Sequence, residues 1–113
     1  MERILRVNQL LKKEISQIFL KEMDFSENVL VTVTRVETSD DLLQARVNVS
    51  VFPEEKTREV LEKLDQSLYR LQQRINKRLR MRPIPRIFFR EEKQIKAAGK
   101  IEEILAKIKQ QNG

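Results

Sequence analysis

The sequence of 113 residues predicts a single domain, residues 1–113, of the α+β class. Apolar residues recur at every third or fourth position in long stretches, which is typical of helices that bury one face. In another stretch they alternate with polar residues, which is typical of a strand with one buried side. Prolines and turn-forming residues separate these stretches. The expected order is helix, strand, strand, helix, helix, strand, helix.

The first and last helices are predicted from their apolar faces. Residues 3–22 place Ile4, Val7, Leu11, Ile15, Ile18 and Phe19 on one face of a helix. Near the end of the chain, a second amphipathic helix is predicted from Ile95, Ile101, Ile104, Leu105 and Ile108. We expect the polar residues 109–113 to fray from it.

Two strands are predicted after the first helix. Residues 29–36 are rich in β-branched side chains, and residues 43–52 alternate between apolar and polar. The expected buried side consists of Leu43, Ala45, Val47, Val49 and Val51, and the opposite side of Gln44, Arg46, Asn48 and Ser50. Between the strands, residues 38–41 contain Ser and Asp, whose short side chains bond their own backbone in turns. The two strands are therefore expected to pair antiparallel.

A long helical stripe follows the strands. Pro53 is a natural first residue of a helix, and the apolar stripe continues from there to Arg82. An unbroken helix of about 30 residues would be roughly 45 Å long and would overhang a domain of this size. A bend is therefore expected, and either Asp65 or Ser67 is suited to cap a second helix after it.

The third strand is predicted after a proline-rich connector. Pro83 and Pro85 favour an extended chain, and Ile87, Phe88 and Phe89 form a short apolar run. Aromatic residues on a sheet can stack on RNA bases. Consecutive apolar residues, however, usually mark a strand that is buried on both faces. We therefore expect Phe88 and Phe89 to pack in the core.

The distribution of charge is the strongest indication of function. Eight basic residues, with no Asp or Glu among them, occupy the segment 70–90: Arg70, Arg74, Lys77, Arg78, Arg80, Arg82, Arg86 and Arg90. The chain has 23 Lys and Arg against 17 Asp and Glu, so the remainder is slightly acidic. A concentrated field of one sign attracts a polyanion. These eight residues are predicted to bind nucleic acid.

The predicted second central helix separates this charge from the core. At 100° per residue, the side chains of Arg70, Arg74 and Lys77 project in nearly the same direction, with Arg78 at the margin. The apolar residues Leu68, Leu71, Ile75 and Leu79 project away from them. An ordinary solvated face is the alternative interpretation, but such faces usually contain acidic partners at helical spacing. Their absence here favours a surface for a polyanion.

Missing residue types argue against an enzyme. The chain has no His and no Cys, which removes the commonest acid–base group and any thiolate or disulfide chemistry. Gly99-Lys100 lacks the rest of a phosphate-binding loop. The pairs Asp40-Asp41 and Glu91-Glu92 are better explained as turn or helix-capping residues than as catalytic carboxylates. We expect no metal and no cofactor.

The compartment is also an inference from composition. A cysteine-free chain fits a reducing cytosol. Charges interrupt every apolar run near the first residue, so no secretory signal is expected, and no run approaches the length of a membrane span. We expect a soluble cytoplasmic protein without a membrane partner.

Three segments of the sequence carry a family resemblance. The alternating stretch 36–50, with its Val, Ser, Asp-Leu and Ala spacing, is the most specific of them. The segment 79–89, with its basic residues, proline and apolar strand, is the second, and Ile101, Ile104 and Leu105 form a weaker third. Together they resemble the bacterial ribosome-binding factor A family over nearly the whole chain, from about Arg3 to Ile108.

The resemblance implies both fold and function. It implies a type II KH-like fold, α-β-β-α-α-β, with a three-stranded sheet and an additional C-terminal helix. It also implies a monomeric, non-enzymatic factor that binds the small (30S) ribosomal subunit, its 16S rRNA and neighbouring ribosomal proteins during late maturation. The family has an Ala-x-Gly kink between its central helices, where this chain has Ser67-Leu68-Tyr69, and an arginine where this chain has Gln72. Lys77, Arg80 and Arg82 fall at positions that are basic in the family.

Two other classes of function use the same residues. A general nucleic-acid-binding domain or chaperone would bind through the same basic helix. A protein-interaction module would present that helix to an acidic partner. Composition and spacing alone leave these alternatives open.

Overall fold

The computed structural model describes residues 2–93. Its elements are α1 (Glu2–Glu22), β1 (Leu30–Thr38), β2 (Gln44–Phe52), a short 3₁₀ turn (Glu54–Lys56), α2 (Thr57–Gln66), α3 (Leu68–Arg78) and β3 (Arg86–Glu91). This order confirms the predicted α+β class and agrees with the KH-like order α-β-β-α-α-β. The predicted helix around residues 95–108 and the frayed tail 109–113 lie outside the described residues.

The three strands form one mixed sheet in the order β1-β2-β3. Strands β1 and β2 pair antiparallel, as predicted, and β3 pairs parallel to β2. A parallel pair needs a long crossover, which α2 and α3 provide. The register shifts between Val33 and Arg35, so Thr34 lies at an irregularity of β1.

Among residues 2–93, the helices cover one face of this sheet. The buried apolar side chains of β2, namely Ala45, Val47, Val49 and Val51, pack with the apolar faces of the three helices in one core. Leu43 was predicted on this side, but it lies before the strand and is 55% exposed. Leu42 packs against the core instead, at a positive φ of 62° within the turn. The turn geometry therefore directs Leu42, and not Leu43, toward the core.

The long helical stripe is broken at Ser67, one of the two expected positions. Ser67 precedes α3 with φ −94° and ψ 1°, and its side chain makes no capping hydrogen bond. Its backbone carries the connection, because its N–H donates to the carbonyl of Lys63 and its carbonyl accepts from Leu71. Asp65 lies inside α2. Since φ is negative, the bend does not require a glycine.

The start of α2 differs from the prediction. Pro53 precedes the 3₁₀ turn, and the α-helix begins at Thr57. The hydroxyl of Thr57 donates to the carbonyl oxygen of Glu54 at 2.6 Å. The Thr57 N–H donates to the same carbonyl, so two bonds join the turn to the start of α2.

The prediction for Phe88 and Phe89 is right for only one of them. Phe89 is buried and lies 5.9 Å from the ring of Phe19. Phe88 is half-buried and lies on the opposite side of β3, where the Arg90 guanidinium lies 5.1 Å from its ring centroid. Consecutive side chains of a strand point to opposite faces, and α1, α2 and α3 all pack on one of them. The other face is therefore open within the described part of the chain.

Candidate nucleic-acid interface

Helix α3 separates charge from core as the sequence predicts. Leu71 and Ile75 are buried against the other elements, and Leu79, directly after the helix, is also buried. The six basic residues of this region form what we call the helical basic surface: Arg70, Arg74, Lys77, Arg78, Arg80 and Arg82. All six are exposed. Arg70, Arg74, Lys77 and Arg78 lie on α3, which core packing holds in place, and Arg80 and Arg82 lie in the connector that follows it.

Three of these arginines also contact α1 or the residue that follows it. The Arg74 Nε lies 3.2 Å from Glu22 Oε1, and the Arg78 Nη1 lies 3.1 Å from Glu14 Oε2. Arg70 lies 3.6 Å from the sulfur of Met23. The sequence contains no acid between residues 70 and 90, but the fold brings two from a distant helix. Part of the charge of this surface is therefore neutralised within the protein.

Lys77, Arg80 and Arg82 are different. Within residues 2–93, none of them has a carboxylate oxygen within 4.0 Å. Arg82 donates to the neighbouring Met81 carbonyl at 3.1 Å, which leaves most of its guanidinium donors to solvent. These three cations are the members of the helical basic surface best able to take up phosphate oxygens.

The remaining two predicted residues lie elsewhere. Arg86 and Arg90 project from β3 on the face of the sheet that the helices do not cover. The eight basic residues therefore form two surfaces rather than one continuous ridge. We call the second the open sheet face, with Arg35, Glu37, Arg46, Asn48, Arg86, Phe88, Arg90 and Glu92.

Gln72 connects the helical basic surface to the sheet. Its side-chain Nε2 donates to the Pro85 carbonyl at 3.1 Å, and its Oε1 accepts from the Ile87 N–H at 2.9 Å. Nε2 also lies 3.1 Å from Asn76 Oδ1. The amide thus satisfies backbone groups on the outer edge of β3, much as a neighbouring strand would. It occupies the position where the family resemblance implies an arginine.

The open sheet face contains a polar network that the sequence analysis did not identify. The side chain of Glu92 is only 3% exposed, and its Oε2 accepts from Arg35 Nε at 3.0 Å and from the Thr34 hydroxyl at 2.6 Å. Glu92 was expected in a solvated turn or at a helix cap; because the side chain is buried, the solvated alternative is wrong. Asn48 is buried and donates to Glu37 Oε1 at 3.0 Å. Arg35 also lies 3.4 Å from Glu37.

The turn between β1 and β2 borders this face. Asp41 Oδ1 accepts hydrogen bonds from the Ser39 hydroxyl at 2.6 Å and from the Leu43 N–H at 3.0 Å. These bonds, that of Ser39 above all, hold the pKa of the Asp41 carboxyl below its usual value. The pair Asp40-Asp41 therefore has the turn role expected of it.

Residues 2–93 provide neither a metal-binding cluster nor a membrane span. No group of three or more acidic side chains within residues 2–93 is arranged to hold a metal ion. None of the helices described in the structure is long and apolar enough to cross a membrane.

The fold and the charge together define a class of protein. The chain is a KH-like α+β protein whose second central helix presents a cationic surface, and such a surface is suited to nucleic acid. Comparisons with known proteins specify the class further. The family model described as ribosome-binding factor A matches residues 3–105. The chain belongs to the ribosome-binding factor A family.

Individual relatives agree over nearly their full lengths. Ribosome-binding factor A of Halothermothrix orenii is 37% identical over 111 residues, which are 97% of this chain and 91% of the relative. The crystal structure of the factor from Thermus thermophilus matches with a TM-score of 0.68 and 28% identity, over 78% of this chain and 94% of that one. A homology model of the Thermus thermophilus factor, fitted into a cryo-electron-microscopy map of a 30S complex, matches with a TM-score of 0.60 and 29% identity, over 76% and 91%.

Proposed function

We propose that this protein binds the small ribosomal subunit through 16S rRNA during late maturation, and that it does so without catalysing a covalent reaction. The observation that carries the proposal is the helical basic surface, with Lys77, Arg80 and Arg82 beyond reach of any carboxylate in residues 2–93. Membership of the family supplies the ribosomal partner, since the Thermus relative was fitted in a 30S complex. The protein would act in the cytoplasm as a monomer.

The proposed mechanism is electrostatic docking of a preformed surface. A guanidinium can donate to two phosphate oxygens at once, and the Lys77 ammonium provides a point charge. A-form grooves offer side chains little sequence to recognise, so selectivity would come from the shape of a folded rRNA junction and from nearby ribosomal proteins. Buried Leu71 and Ile75 hold α3 in place, and buried Leu79 and Pro85 hold the connector on which Arg80 and Arg82 lie, so little backbone ordering is needed on binding.

Salt dependence follows from this mechanism. If about four to six phosphates are neutralised, the logarithm of the affinity for duplex-like RNA should fall with the logarithm of salt concentration at a slope near −4 to −5. The pairs that Arg74 and Arg78 make with α1 favour the lower end of this range.

Sedimentation tests the proposal most directly. Purified protein is mixed with free small subunits or with translating ribosomes, and bound protein is measured in each pelleted fraction. We expect co-sedimentation with free small subunits only. Excess duplex DNA should displace little of the protein, because a folded subunit offers a matching surface and bulk duplex offers only charge. Equal displacement by DNA would indicate general nucleic-acid binding instead.

Two further assays test the proposed maturation role. Depletion of the protein from cells should raise the fraction of small subunits that carry unprocessed 16S rRNA ends. Purified protein incubated with precursor 16S rRNA should leave the RNA intact, since no catalytic role is proposed.

A pull-down from cell lysate tests the alternative partner. Ribonuclease treatment should release the ribosomal components that a tagged form of the protein has captured. Ribonuclease-resistant capture of an acidic protein would instead support a protein-interaction module.

A further inference from the structure

The open sheet face places an aromatic ring among arginines. On β3, the outward side chains are Arg86, Phe88 and Arg90 at every second position. Phe88 lies beside Arg46 of the neighbouring strand, and the Arg90 guanidinium covers part of the ring. Within residues 2–93, neither Arg86 nor Arg90 has a carboxylate oxygen within 4.0 Å. Phe88 is also absent from the apolar core.

A cavity adjoins this ring. It has a volume of about 250 Å³ and is lined by Glu37, Thr38, Ser39, Gln44, Arg46 and Phe88. One wall is therefore aromatic, and the others carry hydrogen-bond donors and acceptors. A flat heterocycle with polar edges can stack on the aromatic wall and bond to the polar walls, whereas an aliphatic side chain cannot bond to them.

We propose that this cavity holds one unpaired nucleobase of single-stranded RNA, stacked against Phe88. The proposal deepens the proposed function and rests on it, because the RNA would belong to the same ribosomal ligand. The base would face the Gln44 amide and the Arg46 guanidinium, which can bond to its polar edge. The phosphates on either side would lie near Arg86 and Arg90.

A network of ion pairs and hydrogen bonds fixes the side chains around this cavity. Glu92 and Glu37 both bind Arg35, and Glu37 also binds Asn48. Arg46 lies 3.8 Å from Glu37, a long contact in which its guanidinium keeps donors available for a ligand. The face as a whole has four arginines and two glutamates, so its charge favours an anion such as the RNA backbone.

Phe52 provides an internal comparison. It is also an aromatic residue, on β2, and at 70% exposed it is far more accessible than Phe88. The groove beside it, however, is lined by Glu54, Glu55 and Glu91. Negative side chains repel phosphates, so Phe52 is unsuited to single-stranded RNA despite its exposure. Phe88 is the candidate because aromatic surface and positive charge occur together there.

The test uses the whole protein and a short single-stranded RNA of mixed sequence with a fluorescent label. Phe88→Leu should weaken binding about tenfold, since it removes the stacking partner. Phe88→Tyr keeps an aromatic ring and should bind within about twofold of the original protein. Phe52→Leu is the matched control and should leave the affinity unchanged. Circular dichroism and thermal unfolding check that each variant is folded.

Photo-cross-linking locates the base. RNA that contains 4-thiouridine should give an adduct on the peptide that includes Phe88, and Phe88→Leu should lose it. Unchanged affinity of Phe88→Leu, or adducts confined to α3, would overturn this inference while leaving the proposed function intact. The open sheet face can also be cross-linked while the protein is bound to whole subunits. If it then forms adducts with a ribosomal protein and none with RNA, the inference is overturned. Failure of the protein to bind subunits at all would instead refute the proposed function.

Discussion

Helices α2 and α3 are consecutive, of similar length and packed against the same core, but their surfaces differ in charge. On α2 and the turn before it, Arg58 lies 3.5 Å from Glu62 and Lys56 lies 3.6 Å from Glu59. These pairs neutralise charge within the element itself. Helix α3 has no acidic residue, and its ion pairs reach across to α1.

The difference shows which property belongs to folding and which to function. Both helices bury an apolar stripe, so both meet the requirement of the core. Pairs at helical spacing contribute only a few tenths of a kcal/mol, and α2 has them while α3 does not. Lys77 and Arg78 in the last turn interact favourably with the helix dipole, and Arg74 and Arg78 pair with α1, but α3 keeps an excess of positive charge that has no acidic partner within residues 2–93. This excess is best explained by a ligand of opposite charge.

The largest expected effects should fall equally on the two helices, because both serve the core. Leu64→Ala in α2 and Leu71→Ala in α3 each remove a fully buried side chain and should lower the free energy of unfolding by about 2–5 kcal/mol. Urea denaturation measures both. A loss below about 1 kcal/mol for either variant would show that its helix is not part of the common core.

A second prediction concerns the additional role of α3 as a support for β3. Gln72→Ala removes the amide that bonds the Pro85 carbonyl and the Ile87 N–H, and should cost about 1–3 kcal/mol of stability. The exposed neighbour Gln73→Ala is the matched control and should change stability by less than about 0.5 kcal/mol. Hydrogen exchange of the Ile87 amide should be faster in the Gln72 variant alone. Equal stability of the two variants would contradict this role.

The interhelical ion pairs should have a smaller effect. A double-mutant cycle between Glu14→Gln and Arg78→Gln should give a coupling of about 0.5–1 kcal/mol, because both side chains are only partly exposed. The same cycle between Arg58 and Glu62 on α2, where both side chains are largely exposed, should give less. A larger coupling on α2 would reverse the comparison between the helices.

The smallest effect is expected outside the helices, in the turn beside the open sheet face. The pKa of Asp41 is lowered by folding, so its charged form stabilises the protein above the ordinary pKa of an aspartate, and this contribution disappears as pH falls through the lowered value. Asp41→Asn should therefore reduce the melting temperature slightly at pH 7 and not at strongly acid pH. Asp40→Asn is the control, since the bonds from Ser39 and Leu43 go to Asp41. A pH-independent difference would contradict the assignment.

Local patterns in the sequence predicted most of the fold. The apolar stripe of α1 and the alternation of β2 depend on neighbours close in the chain, where the period decides the outcome. The bend was predicted from the length of the helical stripe, with Asp65 and Ser67 as its two possible positions, and the structure has it at Ser67. Leu43 and Phe88 were placed wrongly because their positions depend on a turn geometry and on how many faces of the sheet are covered. Neither property is local to the residue.

The contacts of the candidate sites were harder to predict from the sequence for the same reason. Arg78 is 64 residues from its partner Glu14, and Arg35 is 57 residues from Glu92. No spacing rule joins residues so distant. For Gln72, the helical spacing of four residues to Asn76 indicates only the hydrogen bond between those two side chains. Its bonds to the edge of β3, however, become visible only when the connector is folded back onto α3.

The most direct test of the central claim compares charge removal at α3 and the connector after it with charge removal at α2 and the turn before it. Lys77→Gln/Arg80→Gln and Lys56→Gln/Arg58→Gln each remove two exposed cations, the first pair from the helical basic surface and the second from around α2. Affinity for free small subunits is measured across a range of salt concentrations. The first variant should reduce the steepness of the log affinity–log salt relation by about 2, and the second should leave it unchanged. Equal slopes for both variants would contradict the claim that the helical basic surface binds rRNA.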